Sequence, residues 1–335
     1  MANRSDKRDA IALSAYLSGL QVEFIDGVDP STIPEKAYPQ NWKITEDEPP
    51  GTLGCWRGHM NIYRKMLNEN IQTAMVMEDD VDWDVMIKAQ MTEVARGARY
   101  LQKAPASTSS PYGDSWDLMV TGHCGMWNHV NEDQEYWVIN DDPTVIPAQK
   151  RTWWRKPNLT APVLAGDRTR LVLSPNFFTC TGSYAISIAG AARAIYDQAV
   201  LPKATAIDMG LGKICRKHEY GFSTCLGTYP MITGIHRQAG SVAKDSDRTD
   251  RKAKAHKPDR KVAQSDNLMY PVRLNLGSLL SGDTVVKAQY PQHAMFQEID
   301  ISTLKLPQGN AAFVRKEEYT KLNKKQKRRK HHYDI

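Results

Sequence analysis

The chain reads as an α/β protein whose ligand chemistry gathers at the end of one buried strand, and three observations predict this. Between Gly51 and Asn70, residues Cys55, His59, Ile62, Tyr63 and Met66 recur at three- and four-residue steps, the spacing of one helix face. Thr73-Ala-Met-Val-Met77 is then a short apolar run bounded by polar residues, as a buried strand would be. That run ends in Glu78-Asp79-Asp80, with Asp82 and Asp84 behind it. In open α/β sheets, ligands bind beyond the carboxyl ends of strands.

Composition sets the outer bounds. The 335 residues are 41% hydrophobic and 24% charged, ordinary for a globular chain with a sizeable core. The formal charge of +6 is unevenly placed, with much of the excess after Arg237. No run of about 20 apolar residues offers a membrane span, and MANRSDKRDA has no apolar signal core. The five cysteines form no C-x-x-C pair, which argues against a structural zinc site or a dense disulfide scaffold and leaves one or two bridges open.

Taken in order, Asp6 or Asp9 caps a helix carrying Ile11, Leu13, Tyr16 and Leu17, which Gly19 ends. Leu20-Gln-Val-Glu-Phe-Ile25 alternates as a strand does, and Asp26-Gly-Val-Asp29 follows as a loop. Gly51 and Gly54 bracket a turn before the amphipathic helix, and Asn68 and Asn70 close that helix. Residues 86–104 read as a helix, 116–121 as a strand ending at Gly122-His123-Cys124-Gly125, and 126–173 as irregular chain. Trp127, Trp137, Trp153 and Trp154 are either a sugar-stacking rim or core. Asn176–Ser187 reads as a strand entering a small-residue helix over 189–199, whose N-terminal amides could meet an anion. Asp208 opens a further helix, and Tyr229–Asp247 closes the catalytic region. Residues 268–306 show apolar patches without a clear pattern, and KLNKKQKRRK at 321–330, five Lys and two Arg, reads as a solvated tail. The expected organisation is a catalytic domain over 1–247, a basic polar linker over 248–266, an extension over 267–320 and a disordered tail over 321–335.

The acidic cluster carries the chemistry. Carboxylate oxygens are the preferred ligands of hard divalent ions, and unpaired buried carboxylates are heavily penalised. In an extended segment, Glu78 and Asp80 point to one side and Asp79 to the other, so Glu78 and Asp80 are candidate ligands of one ion. By itself, E-D-D also suits a solvated loop.

The wider pattern resembles glycosyltransferase family 25. The matching residues are Gly51, Gly54, Cys55 and His59, then the helix and strand, then Glu78, Asp79 and Asp80. Where the family usually has Ser before the His, this chain has Gly58. Arg4, Asp6, Lys7 and Arg8 match a basic segment that in the family follows an opening strand. Only Met1 and Ala2 precede that segment here, so the doubly wound sheet is expected without its first strand. Further matches are Tyr184, Ala185, Ser187, Gly190, Ala191, Asp208 and the phrase from His236 to Asp247.

The resemblance implies a GT-A-type, Rossmann-like fold and a metal-dependent, inverting transfer of a sugar, commonly galactose from UDP-galactose, to a glycan or glycoprotein hydroxyl. Mn²⁺ or Mg²⁺ would be held by Glu78 and Asp80, with His236 as a late ligand. Arg4 and Arg8 would meet the diphosphate or uracil, and Gly54, His59 and Asp79 are further donor-binding candidates. The general base would lie opposite the diphosphate, which points to Asp208, with Asp117 as its rival. Asp208 also suits a helix cap, and His123, His236, Arg4 and Arg8 each suit structural or solvated roles. The resemblance also suggests the secretory pathway. The competing classes are a degenerate transferase fold that binds a partner or RNA through its basic tail, and a metal-dependent phosphohydrolase; no clear nucleic-acid site is present.

Overall fold

A computed structural model describes residues 4–42, 50–151, 155–203, 205–217, 224–247 and 258–319. Trp153, Trp154, most of the basic linker and the tail from 321 lie outside the described residues.

The amphipathic patterns resolve into helices α1 (Ser5–Ser18), α2 (Gly51–Asn68), α3 (Ile87–Leu101), α4 (Ile188–Ile195), α5 (Ile207–Lys217) and α6 (Leu276–Leu280). The first strands are β1 (Thr73–Met77), β2 (Val81–Trp83), β3 (Leu118–Gly122), β4 (Gly125–Asn128) and β5 (Gln134–Ile139). They are followed by β6 (Arg170–Leu173), β7 (Pro175–Thr179), β8 (Ser183–Ser187), β9 (Cys225–Tyr229) and β10 (Thr233–Arg237). The last are β11 (Gln264–Ser265), β12 (Val285–Lys287), β13 (Glu298–Asp300) and β14 (Asn310–Val314).

The main sheet has seven strands in the order β1-β8-β3-β9-β6-β5-β14. Alternating side chains split it between two cores, the period-2 rule of a strand. Leu118 and Val120 join the cluster with Trp56, Met60 and Tyr63 of α2, whereas Met119 joins Ile11 of α1 and Val94 of α3. Helices thus cover both faces, and the class is mixed α/β. The sheet departs from a doubly wound parallel one: only β3 and β9 pair in parallel, and the other described ladders of the main sheet are antiparallel. The reason is local. β7 leaves to pair with β4 outside the main sheet, and after a tight turn β8 runs back antiparallel between β1 and β3, so the single strand expected over 176–187 is two.

Three other expectations change. Gly51–Gly54 is the first turn of α2 rather than a loop. Leu20–Ile25 is extended but is no strand, and the N–H groups of residues 21–28 bond to no described backbone carbonyl. Residues 268–306 do pack: Met269, Tyr270, Val286 and Ile299 form a third core against Met86. Beyond them, β14 pairs with β5 at the edge of the main sheet. Two disulfides, Cys124–Cys180 and Cys215–Cys225, join neighbouring elements, and Cys55 stands outside both.

Candidate active site

β1 ends at Met77, beside Ser183 of β8. The next residues do not continue as extended chain. Val81 N–H donates to the Glu78 carbonyl at 3.2 Å, closing a turn over Glu78–Val81 before β2 begins. The two-residue alternation that would put Glu78 and Asp80 on one side therefore does not apply. The carboxylates share a corner because the turn gathers them.

Each acid has its own surroundings. Thr181 Oγ1 donates to Glu78 at 2.9 Å, and Glu78 N–H donates to the Gly182 carbonyl at 2.9 Å. Glu78 keeps some access through the cleft, yet the protein around it is deep enough that desolvation, followed by the charge of Asp80, raises its carboxyl. Asp79 accepts from Lys7 Nζ at 2.7 Å. Asp80 is also raised, chiefly by desolvation, with Lys7 opposing. Its Oδ1 is buried and has no hydrogen-bond partner among the described residues. Asp82 and Asp84 are fully buried and serve structure. Asp82 accepts from Ser265 Oγ at 2.6 Å and from Trp83 N–H at 2.8 Å, and Asp84 from the N–H groups of Met86 and Tyr270.

α2 brings the face of Cys55 and His59 to the same corner. Gly54 lets the helix approach the 26–30 loop, since a Cβ there would stand 2.4 Å from the Val28 carbonyl oxygen. One turn later His59 is buried, and burial lowers its pKa to about 4, so the ring is neutral. Its Nδ1 lies 2.6 Å from Tyr184 Oη, which is 2.5 Å from Tyr63 Oη. Cys55, His59 and Glu78 each offer a ligand atom within 4.8 Å of the others, the one such group among the described residues.

The turn between β7 and β8 braces this corner from the other side. Cys180, at a φ of 63°, is tied to Cys124, and its N–H donates to Asp208 Oδ2 at 2.9 Å. Asp208 lies inside the first turn of α5, so its side chain reaches across to this turn. It also acts electrostatically on both His59 and Glu78.

Other sequence candidates lie elsewhere. Asp117 is buried, ion-paired with Arg193, and precedes β3 at the end of the sheet opposite Met77. His236 Nδ1 lies 2.9 Å from Ser265 Oγ, and its backbone N–H donates to the Asp80 carbonyl at 2.7 Å; its ring faces Ser265 and Asp82. Arg4 binds Asp247 at 2.6 Å and Asp6 at 2.9 Å, while Arg8 pairs with Asp26 at the surface and lies over the Phe24 ring. His123 is buried, with Nε2 3.1 Å from the Thr228 carbonyl. The α4 N-terminus is capped by Ser187. Trp127 packs edge-on to Phe177, and Trp137 lies against Tyr100. Sequence reading passed over Lys7, Thr181 and Arg273 as site residues. A lone Lys in a charged helix start and an Arg far along the chain carry no local signal; contact with the acidic turn appears only on folding, where Arg273 bonds the Asp79 carbonyl at 3.3 Å.

A cleft of about 1540 Å³ opens onto this corner. It runs from Lys7, Glu78, Asp80 and Asp247 past Gly54, Gly58 and His59, and then between β1 and the extended chain from Leu20 to Pro30. It exceeds the roughly 300–1,000 Å³ of ordinary ligand pockets.

Comparison with known proteins points the same way. The profile of Glycosyltransferase family 25 (LPS biosynthesis protein) matches residues 1–103. A glycosyltransferase 25 family member of Aedes aegypti is 27% identical over 96 residues, 29% of this chain and 13% of its own length. Procollagen galactosyltransferase 1 of Danio rerio is 24% identical over 176 residues, 45% of this chain and 27% of its own. Procollagen galactosyltransferase 2 of Mus musculus is 20% identical over 173 residues, 45% of this chain and 26% of its own. The chain thus spans only 13–27% of these relatives. The likeness is thus to glycosyltransferases. Residues 1–103, which include α2, β1 and the acidic turn, are the part of the chain that resembles glycosyltransferase family 25.

Proposed function

We propose that the protein is a metal-assisted glycosyltransferase of GT-A type that takes a nucleotide-diphosphate sugar into this cleft and passes the sugar to a hydroxyl of a glycan or glycoprotein. The observation that carries the reading is the acidic turn beside the cleft, with the buried, unpartnered Oδ1 of Asp80. A buried carboxylate oxygen without a hydrogen bond is costly unless a cation meets it, and the oxygen donors of Asp80 and Glu78 suit Mn²⁺ or Mg²⁺. When bound, such an ion supplies charge stabilisation to the departing diphosphate.

The chain's own residues do the rest. Lys7 neutralises Asp79, and burial pulls its pKa down less than Asp80, Asp79 and Asp247 push it up, so it stays charged beside the cleft. Thr181 orients Glu78, and the His59–Tyr184–Tyr63 chain fixes the wall behind it. Asp208 is assigned the acceptor proton, because it faces Glu78 and His59 from a different element and is held by Cys180 N–H. The procollagen galactosyltransferase relatives favour galactose as the sugar; UDP-galactose as donor and inversion as outcome belong to the same proposal.

The test is UDP release from a panel of UDP-sugars with and without Mn²⁺. Asp80→Asn should abolish Mn²⁺-dependent donor binding with the fold intact. Asp208→Asn keeps an acceptor for Cys180 N–H, so it should melt as wild type does while transfer falls by roughly a hundredfold or more. Unchanged donor affinity in Asp80→Asn, measured by calorimetry, would remove the metal from the scheme.

A further inference from the structure

We propose that Cys55, His59 and Glu78 form a binding site for a thiophilic divalent cation of the zinc class, separate in chemistry from the hard-cation role given to Asp80. The inference rests on the side-chain cluster alone and holds whether or not the chain transfers a sugar.

Cys55 and His59 are four residues apart on α2 and so share one face of the helix. The same i, i+4 spacing sets the two histidines of H-E-x-x-H zinc helices. β1 ends at Met77, and the next residue, Glu78, supplies the third ligand. The three ligand atoms lie within 4.8 Å of one another. Zinc bonds of about 2.3 Å to sulfur and about 2.0–2.2 Å to nitrogen and oxygen set ligand atoms roughly 3.3–3.7 Å apart in a tetrahedron. The cluster therefore closes on an ion by side-chain rotation, without moving α2 or β1.

The surroundings fit the donor set. His59 Nδ1 engages Tyr184 Oη at 2.6 Å, which leaves Nε2 as the ligand and makes Tyr184 the outer partner that fixes the ring. Tyr63 in turn holds Tyr184 at 2.5 Å. Thr181 Oγ1 does the same for Glu78 at 2.9 Å. One thiolate and one carboxylate balance the ion's charge, and both outer partners are neutral. All three residues line the cleft, so an ion has an entry path and a fourth position open to solvent. Three protein ligands with one open position are the pattern of exchangeable zinc rather than of a closed structural site. A sulfur ligand also discriminates: it favours zinc-class ions over Mn²⁺ and Mg²⁺, which prefer oxygen. Glu78 is common to both sets, so a zinc-class ion here would withdraw Glu78 from the hard cation.

The test uses the full chain, metal-free and with both disulfides intact, titrated with Co²⁺ and followed by absorption. One equivalent should give the intense visible bands of four-coordinate cobalt and a thiolate charge-transfer band, both displaced by Zn²⁺. Cys55→Ser, a near-isosteric change, should remove the charge-transfer band and weaken Zn²⁺ binding, measured by competition with a chromophoric chelator. The loss should be at least the roughly 10–100-fold that removing an outer-shell partner costs. Glu78→Gln should weaken Zn²⁺ in the same direction while keeping the charge-transfer band. Absence of that band in the wild type, its survival in Cys55→Ser, or Zn²⁺ affinity unaltered in both variants would overturn the proposal. None of these outcomes bears on UDP release, so the two readings fail separately.

Discussion

Replacing Lys7 by Met tests the electrostatics of the acidic turn most directly. Lys7 is a buried cation in direct contact with the cluster: its side chain is 5% exposed, 2.7 Å from Asp79 and 3.5 Å from Asp247. Met keeps the length of the stem and removes only the charge. Asp247 retains Arg4 at 2.6 Å, so the loss falls on Asp79 and, through space, on Asp80. Removing one partner of a fully buried pair costs about 3–5 kcal/mol. Asp79 is 33% exposed, so water recovers part of this, and about 2–3 kcal/mol remains. The same change leaves the turn more negative, which should strengthen Mn²⁺ binding by about tenfold, and bound Mn²⁺ should then offset much of the lost stability. Urea unfolding of wild type, Lys7→Met and Lys7→Arg, each with and without millimolar Mn²⁺, separates these effects. A wild-type midpoint in Lys7→Met, or an equal loss with and without Mn²⁺, would refute the assignment of Lys7 as the neutralising charge.

Three further outcomes are expected. Burial raises Asp84 and Glu78 to about 7 and Asp82 to about 6, so the folded state holds protons that the unfolded chain releases near 4, and these acids lose stability as pH rises from about 4 to 7. Over the same range the buried His59, His123 and His236, each lowered to about 4, refuse protons that the unfolded chain takes up near 6.5 and so gain stability as pH rises; the opposed slopes nearly cancel, stability should be almost flat from about pH 5 to 7, and a melting temperature that climbs or falls steeply across that range would contradict this. Within α2, Gly58→Ala should stabilise by about 0.5–1 kcal/mol, because nothing lies within 4 Å of its Cβ, whereas Gly54→Ala should destabilise by about 1–3 kcal/mol against the Val28 carbonyl, and denaturant melts showing the same sign for both would be inconsistent with this packing. Removing Cys124–Cys180, which spans 56 residues, should cost about 4 kcal/mol by chain entropy, against about 3 kcal/mol for Cys215–Cys225, which spans 10; calorimetry of the paired Cys→Ser variants would show whether the order holds.

Much of the site could be read from the chain alone because its parts are local. The helix face of Cys55 and His59, the apolar run of β1 and the acids at its end are consecutive, and the periodicities of helix and strand decide each from neighbouring residues. The mixed α/β class follows from the same patterns. Where long-range contact decides, the chain is silent. Leu20–Ile25 has the alternation of a strand, but a strand exists only when a partner supplies its hydrogen bonds, and none of the described residues does. The geometry of Glu78–Asp80 depends on a turn closed by one backbone bond rather than on strand alternation. Asp208 at a predicted helix start and Asp117 inside a predicted strand both offer a base by residue type, yet strand order sends Asp117 to an Arg193 ion pair at the far end of the sheet and Asp208 to the turn that holds Glu78. Sequence determined which residue types stand at the end of β1; tertiary structure decided which distant residues, Lys7, Thr181, Tyr184 and Arg273, meet them, because pairing across tens to hundreds of residues is set by sheet topology and packing and leaves no local trace.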